Sequence, residues 1–244
     1  KAVRRLGREE RLDEIMSIIS DSGYATVEYI SRKTFMSPST IRRDLADLER
    51  SGLIVRNYGG AEMKNGDMHI PVPINNRMSQ NHLEKAKIAK KAVSLIEDGT
   101  TIFIDSSSTC LYMARYMSGC HGVIVYTNGI ILAQMLDEKG IETHIIGGRL
   151  VHRSGTLVGE EAIAEISMIN FDALFFSSNG YCDDVVTDYS EEETQVRRVL
   201  IRRSQKKYFL CDSSKFGVKR VYVVCTKDDI DMILTDREET EGII

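Results

Sequence analysis

Ser37-Pro38-Ser39-Thr40-Ile41-Arg42-Arg43-Asp44-Leu45 opens a helix whose two faces differ sharply. Ser37-Pro38 follows a turn, and Ser39 and Thr40 stand at the N-terminus of the helix. The periodicity carries the helix from near Ser39 to about Ser51, where Gly52 is placed to stop it. At 100° per residue, Ile41, Leu45 and Leu48 fall on one side; Arg43 and Arg50 fall opposite, flanked by Arg42 and Ala46. One face suits a core and the other an anion.

The chemistry of that second face fits DNA. Hydroxyls of Ser37, Ser39 and Thr40 lie where the helix dipole and free N–H groups attract phosphate, and Arg42 and Arg43 can reach guanine O6 and N7 in a major groove. Taken alone, a capped surface helix with solvated arginines reads the same way, so the flanking sequence decides.

Upstream, Leu12, Ile15, Met16 and Ile19 recur at helical spacing within residues 8–21, and Gly23 is placed to end that helix. Thr26 caps a second short helix carrying Val27 and Ile30, and Phe35 and Met36 lead into a turn. Downstream, Leu53-Ile54-Val55-Arg56 reads as a strand and Asn57-Tyr58-Gly59-Gly60-Ala61 as a tight turn with permissive glycines. Three short helices and a basic hairpin over residues 1–61 make a winged helix-turn-helix. Its expected DNA-binding residues are Ser37, Ser39, Thr40, Arg42, Arg43, Arg56, Asn57 and Tyr58. Residues 62–81 sustain no period and contain Gly66, Pro71 and Pro73, which predicts a linker.

From residue 82 the pattern alternates. Short apolar runs at 101–104, 123–126, 144–146, 173–176, 208–210 and 221–224 are separated in several places by helical segments, at about 109–118, 129–138, 160–167 and 191–205. A further helix is expected at 83–97. Runs without polar alternation belong to strands covered on both faces, so residues 82–244 are expected to form a mostly parallel, Rossmann-like α/β domain.

In such sheets ligands lie beyond the carboxyl ends of strands. Asp105-Ser106-Ser107-Ser108-Thr109 follows one strand and opens a helix, a hydroxyl-rich arrangement suited to phosphate, although a serine turn that merely caps the helix is an equal local reading. Thr127-Asn128 and Gly147-Gly148 follow two other strands and can converge with it on a polyol, while Lys215, in Asp212-Ser213-Ser214-Lys215, can offset ligand charge.

The balance of the chain is compatible with this division. Net charge is −4, but residues 1–60 hold 11 Lys/Arg against 9 Asp/Glu, whereas residues 61–244 hold 21 against 27. No apolar run approaches the ~20 residues of a membrane helix, and the expectation is a soluble, cytoplasmic protein with no membrane partner. Five widely spaced cysteines without a Cys-x-x-Cys pair suggest neither zinc nor a disulfide framework, and the five histidines lack metal-ligand spacing. Neither a catalytic nor a metal site, nor a cofactor, is predicted.

The motifs taken together resemble the DeoR family of bacterial sugar-metabolism regulators over nearly the whole chain. Residues 39–45, Leu48-Glu49, Gly52 and 56–61 look like its N-terminal signature. Lys87-Ile88-Ala89, Asp98-Gly99, Asp105-Ser106, Thr127-Asn128, Gly147-Gly148 and Asp212-Ser213-Ser214-Lys215-Phe216 resemble its sensor landmarks in order. In the family's usual Asp-Ser/Ala-Gly-Thr-Thr loop, this chain carries Ser107 in place of the glycine. The resemblance implies a sensor domain similar to ribose-5-phosphate isomerase that binds a phosphorylated sugar without catalysis; a repressor of sugar-metabolism genes is expected, as a homodimer or larger homo-oligomer because one DNA-binding module alone makes a small interface. A sugar-phosphate isomerase with N-terminal assembly helices, or a regulator whose second domain only oligomerises, are the alternatives left open.

Overall fold

The computed structural model describes residues 8–22, 24–57, 59–63, 74–151 and 154–237. The chain divides into two units, Lys1–Asn76 and Arg77–Ile244.

The first unit contains α1 (Arg8–Ser22), β1 (Tyr24–Thr26), α2 (Val27–Thr34), α3 (Pro38–Arg50), β2 (Ile54–Asn57) and β3 (Gly60–Met63). β2 and β3 form an antiparallel hairpin from Ile54 opposite Met63 to Asn57 opposite Gly60, and β1 adds to β3. Thr26 serves twice: it ends β1 opposite Gly60, and its hydroxyl accepts from Tyr29 N at 3.1 Å to start α2. Ile15, Ile19, Ile30, Ile41, Leu45 and Ile54 are fully buried where the helices meet the hairpin. Each contributes on the order of 1.5–3 kcal/mol of apolar burial.

The expected linker at 62–81 is corrected at both ends. β3 continues the wing to Met63, and α4 (Ile74–Ser79) is helical, crossing the boundary between the units. Gly23 and Tyr58, and the side chain of Asn57, lie outside the described residues.

The second unit is built on a six-stranded, wholly parallel sheet. After α5 (His82–Val93) come β4 (Thr101–Ile104), α6 (Ser108–Leu111), a 3-10 turn at Tyr112–Arg115, β5 (Ile124–Thr127), α7 (Ile130–Asp137) and β6 (Glu142–Ile145). β7 (Arg149–Val151) and β8 (Thr156–Val158) form a hairpin, followed by α8 (Glu160–Ser167) and β9 (Phe171–Phe176). β10 (Gly180–Cys182), β11 (Val185–Asp188), α9 (Glu191–Arg203), β12 (Ser204–Leu210), β13 (Tyr222–Thr226) and β14 (Met232–Leu234) complete it.

The parallel order is β14-β12-β9-β4-β5-β6. From β4 the chain first builds outward through β5 and β6, then returns to build the other way through β9, β12 and β14. This reversal makes the carboxyl ends of β4 and β9 the topological switch point, the place where open α/β sheets generally bind their ligands. Ile102, Phe103, Ile104, Leu174, Phe175, Phe176 and Phe209 are buried in the middle of the sheet, which explains their uninterrupted apolar runs.

One expected strand belongs elsewhere. The run at 221–224 becomes β13, which pairs antiparallel with β11 in a separate sheet ordered β10-β11-β13, and β14 takes the edge of the main sheet instead. The β10–β11 hairpin turns on Asp183 and Asp184, both at positive φ (51° and 59°), a two-residue geometry usually signalled by Asn-Gly or Asp-Gly. Among the described residues no helix is long and apolar enough to cross a membrane.

Candidate functional sites

In the first unit, Ser37 accepts from Thr40 N at 3.2 Å, and its hydroxyl lies 2.9 Å from those of Ser39 and Thr40. Three hydroxyls therefore cluster at the opening of α3. Arg42 and Arg43 are exposed and form no ion pair or hydrogen bond among the described residues, while Arg50 is tied to Asp47. Arg56 is held on β2 by Glu49 of α3, whose carboxylate accepts its backbone N–H at 3.2 Å and lies 3.7 Å from its guanidinium. Such an exposed pair restrains Arg56 only weakly.

A residue that periodicity left unassigned fixes the helix. Asp44, between the exposed arginines and the core, is buried and accepts from Arg11 of α1 at Nε (2.6 Å) and Nη2 (3.1 Å). This bidentate pair anchors the inner face of α3 while its outer face stays open. An Asp directly after two arginines and beside a buried Leu was the available signal.

In the second unit, the loops predicted to bind a ligand follow β4, β5, β6 and β12, and those after β4, β5 and β12 meet at one end of the parallel sheet. Asp105 is 2% exposed, and its carboxylate accepts from Ser107 N (2.9 Å), Ser177 N (3.2 Å) and Arg197 Nε (3.2 Å). Asn128 Oδ1 accepts from Ser106 N at 3.2 Å, joining the β5 loop to the β4 loop, and its Nδ2 donates to Leu157 O. The Ser106 hydroxyl lies 2.7 Å from that of Thr156, and Thr127 accepts from Gly129 N at 3.1 Å. Lys215 Nζ donates to Ser177 Oγ at 2.8 Å and Thr109 Oγ1 at 3.4 Å, and lies 3.5 Å from Asp212 Oδ2.

The expected cradle of helix N–H groups has a different form. α6 is a single turn, and Ser107 caps it by accepting from Cys110 N at 3.3 Å. With the amides of Asp105, Ser106 and Ser107 taken by Phe175 O, Asn128 and Asp105, the positive groups of the loop cluster are the ammonium of Lys215 and the guanidinium of Arg197. Gly147 and Gly148 serve the neighbouring hairpin. Gly147 N donates to Glu165, and Gly148, at φ 135°, approaches so closely that a Cβ there would lie 2.6 Å from Val158 O.

The residue that organises the site is one that sequence reasoning missed. Arg197 of α9 is buried and bonds three carboxylates at once: Asp105 at 3.2 Å, Asp188 at 3.0 Å and Glu193 at 3.0 Å. Burial alone depresses the guanidinium's pKa, but the three negative charges outweigh it and raise it above the ordinary arginine value. Burial likewise works against ionised Asp188, yet Arg197 and the donors of Ser190, Asn179 and Ser178 hold its carboxyl below the usual range. For Glu193 burial wins and its carboxyl is raised. The Glu193–Arg197 spacing of four was the one local signal, overshadowed by the acidic run that begins the helix.

A model of the DeoR-like helix-turn-helix domain matches residues 11–66, and one of the DeoR C-terminal sensor domain matches residues 80–237. The chain belongs to the DeoR family. It is thus a DNA-binding transcriptional regulator and not an enzyme. Among its relatives in this family, the HTH-type transcriptional regulator GolR of Listeria innocua is 33% identical over 96% of this chain and 92% of its own length. FruR of Bacillus subtilis, described as an uncharacterized HTH-type transcriptional regulator, is 32% identical over 94% and 92%. The lactose phosphotransferase system repressor of Staphylococcus aureus is 30% identical over 98% and 96%. Solved structures overlap the DeoR-family chain more distantly. Ribose 5-phosphate isomerase A from Methanocaldococcus jannaschii covers 54% of it with 53% of its own chain (TM-score 0.40, 16% identity), and eIF2B delta from Chaetomium thermophilum covers 87% with 77% (TM-score 0.49, 16% identity).

Proposed function

We propose that this regulator is a homodimeric repressor of sugar-metabolism genes whose operator affinity is set by a phosphorylated sugar held at the carboxyl ends of β4, β5, β9 and β12. The observation that carries the reading is Lys215: a cation at the topological switch point, sharing hydroxyls with Thr109 and Ser177. Hydroxyls beside a single ammonium suit a polyol with one phosphate. The name of the staphylococcal relative, a lactose phosphotransferase system repressor, supports the same substrate class.

A ligand changes DNA affinity only through different affinities for the DNA-bound and free forms, so the site must connect to the DNA-binding unit. Connections suited to this task leave the loop cluster directly. Tyr112, one residue after α6, donates to Met78 O at 2.6 Å, and Asn81 donates to Asp212 Oδ1 at 3.2 Å and Ser214 Oγ at 3.0 Å. Both end on the segment 77–81 that leads to the DNA-binding unit. A dimer follows from the size of one module, which buries only ~600–1,000 Å² on DNA, whereas paired half-sites supply affinity and spacing specificity together.

Fluorescence anisotropy at one fixed salt, on DNA from upstream of the chain's own gene with and without a panel of pentose and hexose phosphates, tests the reading. Tight binding that one sugar phosphate alters is the expected result. Binding that no member of the panel alters, with no thermal shift by any of them, would overturn the effector assignment and leave the second unit as an oligomerisation domain.

A further inference from the structure

Phe35 occupies the turn between α2 and α3 as the left-handed C-cap of α2, at φ 56° and ψ 28°. An aromatic side chain rarely adopts this conformation, because its Cβ crowds the following carbonyl; glycine or asparagine does so readily. The neighbouring chain enforces it. Phe35's own N–H donates to Ser31 O, Met36 N donates to the same oxygen at 3.2 Å, and the Ser31 hydroxyl donates to Met36 O. These hydrogen bonds account for the backbone conformation, a left-handed helix cap, but not for an aromatic side chain there, which is 83% exposed.

The residues on either side of Phe35 are cationic and hydroxyl-bearing. Two residues later stands Ser37, first of the hydroxyl cluster at the opening of α3, and exposed Arg32 and Lys33 form the last turn of α2 immediately before it. Cations, hydroxyls and one exposed aromatic ring lie together next to the end of α3 that the DNA-binding reading places in a groove. In a major groove the apolar feature of a base edge is the thymine C5-methyl.

We propose that Phe35 is a DNA-contacting residue that reads a thymine by apolar contact with its methyl group, its ring left open to solvent by the turn. Local backbone strain concentrated at a binding surface has this general meaning. The proposal rests on the reading of α3 as the helix that enters DNA, and its test separates the two.

The full-length chain is used to enrich a preferred duplex from a random-sequence pool, and affinities are measured on that duplex with thymine or with deoxyuridine, which lacks the methyl. Wild type is expected to lose about 4-fold when the contacted thymine is replaced, the value of one buried methyl-sized group. Phe35→Gly is expected to bind the thymine duplex at least that much more weakly, to be indifferent to deoxyuridine, and to melt several degrees higher because the turn is relieved. Phe35→Asn, which also tolerates the left-handed conformation, serves as the second variant. Undiminished binding by both variants, or an equal deoxyuridine penalty in wild type and variants, would overturn the Phe35 assignment alone. Failure of the wild-type chain to enrich any sequence would overturn the reading of α3 as a helix that enters DNA and reads bases.

Discussion

Arg197 Nε and Asp105 Oδ2 lie 3.2 Å apart although 92 positions separate them in sequence, and the contact ties α9 to the loop that follows β4. The same guanidinium bonds Asp188 and Glu193, so one buried cation offsets three buried carboxylates. Replacing it leaves those charges uncompensated. Arg197→Met is expected to destabilise the chain by about 3–5 kcal/mol, measured by urea denaturation at neutral pH. A loss below about 1 kcal/mol would mean that the carboxylates find other partners.

The same cluster sets an acid limit. Asp188 and Asp212 are both opposed by burial, yet Arg197 and Lys215 respectively keep their carboxyls below the ordinary range, so native Asp188 and Asp212 bind fewer protons than in the unfolded chain. Their stabilisation is complete above the unfolded value of ~4 and is lost as pH falls through their lowered native values. Glu193, raised by burial, acts oppositely and adds stability as it protonates above that value. Thermal melts are expected to hold or rise slightly as pH falls towards ~4.5, then drop below ~4. A steady decline from neutrality would contradict this order.

Two adjacent glycines should respond differently. Gly148→Ala places a Cβ against Val158 O at a positive φ, and a cost of about 1–3 kcal/mol is expected. Gly147→Ala meets only the end of Glu165 at 3.6 Å and should change stability by less than about 0.5 kcal/mol. Equal effects in urea denaturation would show that the hairpin shifts to accommodate either methyl.

On α3, binding and folding should separate by face. Arg42→Ala and Arg43→Ala remove exposed side chains, so each should weaken DNA binding by roughly 1–3 kcal/mol where it reads a base, less where it touches phosphate, with an unchanged melting temperature. Asp44→Ala leaves Arg11 without its bidentate partner and should lower stability and DNA binding together. The comparison needs only anisotropy and thermal melts on the three variants.

Much of this architecture was legible before any coordinates. Thr26 announced the start of α2, the spacing of Ile41, Leu45 and Leu48 announced the buried face of α3, and the run at 101–104 announced a central strand. Other features were not legible. β13 and β14 are equally short, and nothing local says which joins the parallel sheet; the Asp183-Asp184 turn hid the β10–β11 hairpin because it lacks the expected glycine.

The sequence by itself determined the helix-turn-helix, the alternation of helices and buried strands, and the polar loops at the strand ends, because period, capping and turn chemistry act between residues a few positions apart. Only the tertiary structure decided that the chain reverses direction at β4, that Ser106 meets Asn128 and Thr156, and that Arg197 sits among Asp105, Asp188 and Glu193. Those partners are chosen by strand order and by the need to neutralise charge taken out of water, and neither quantity exists until the sheet has formed.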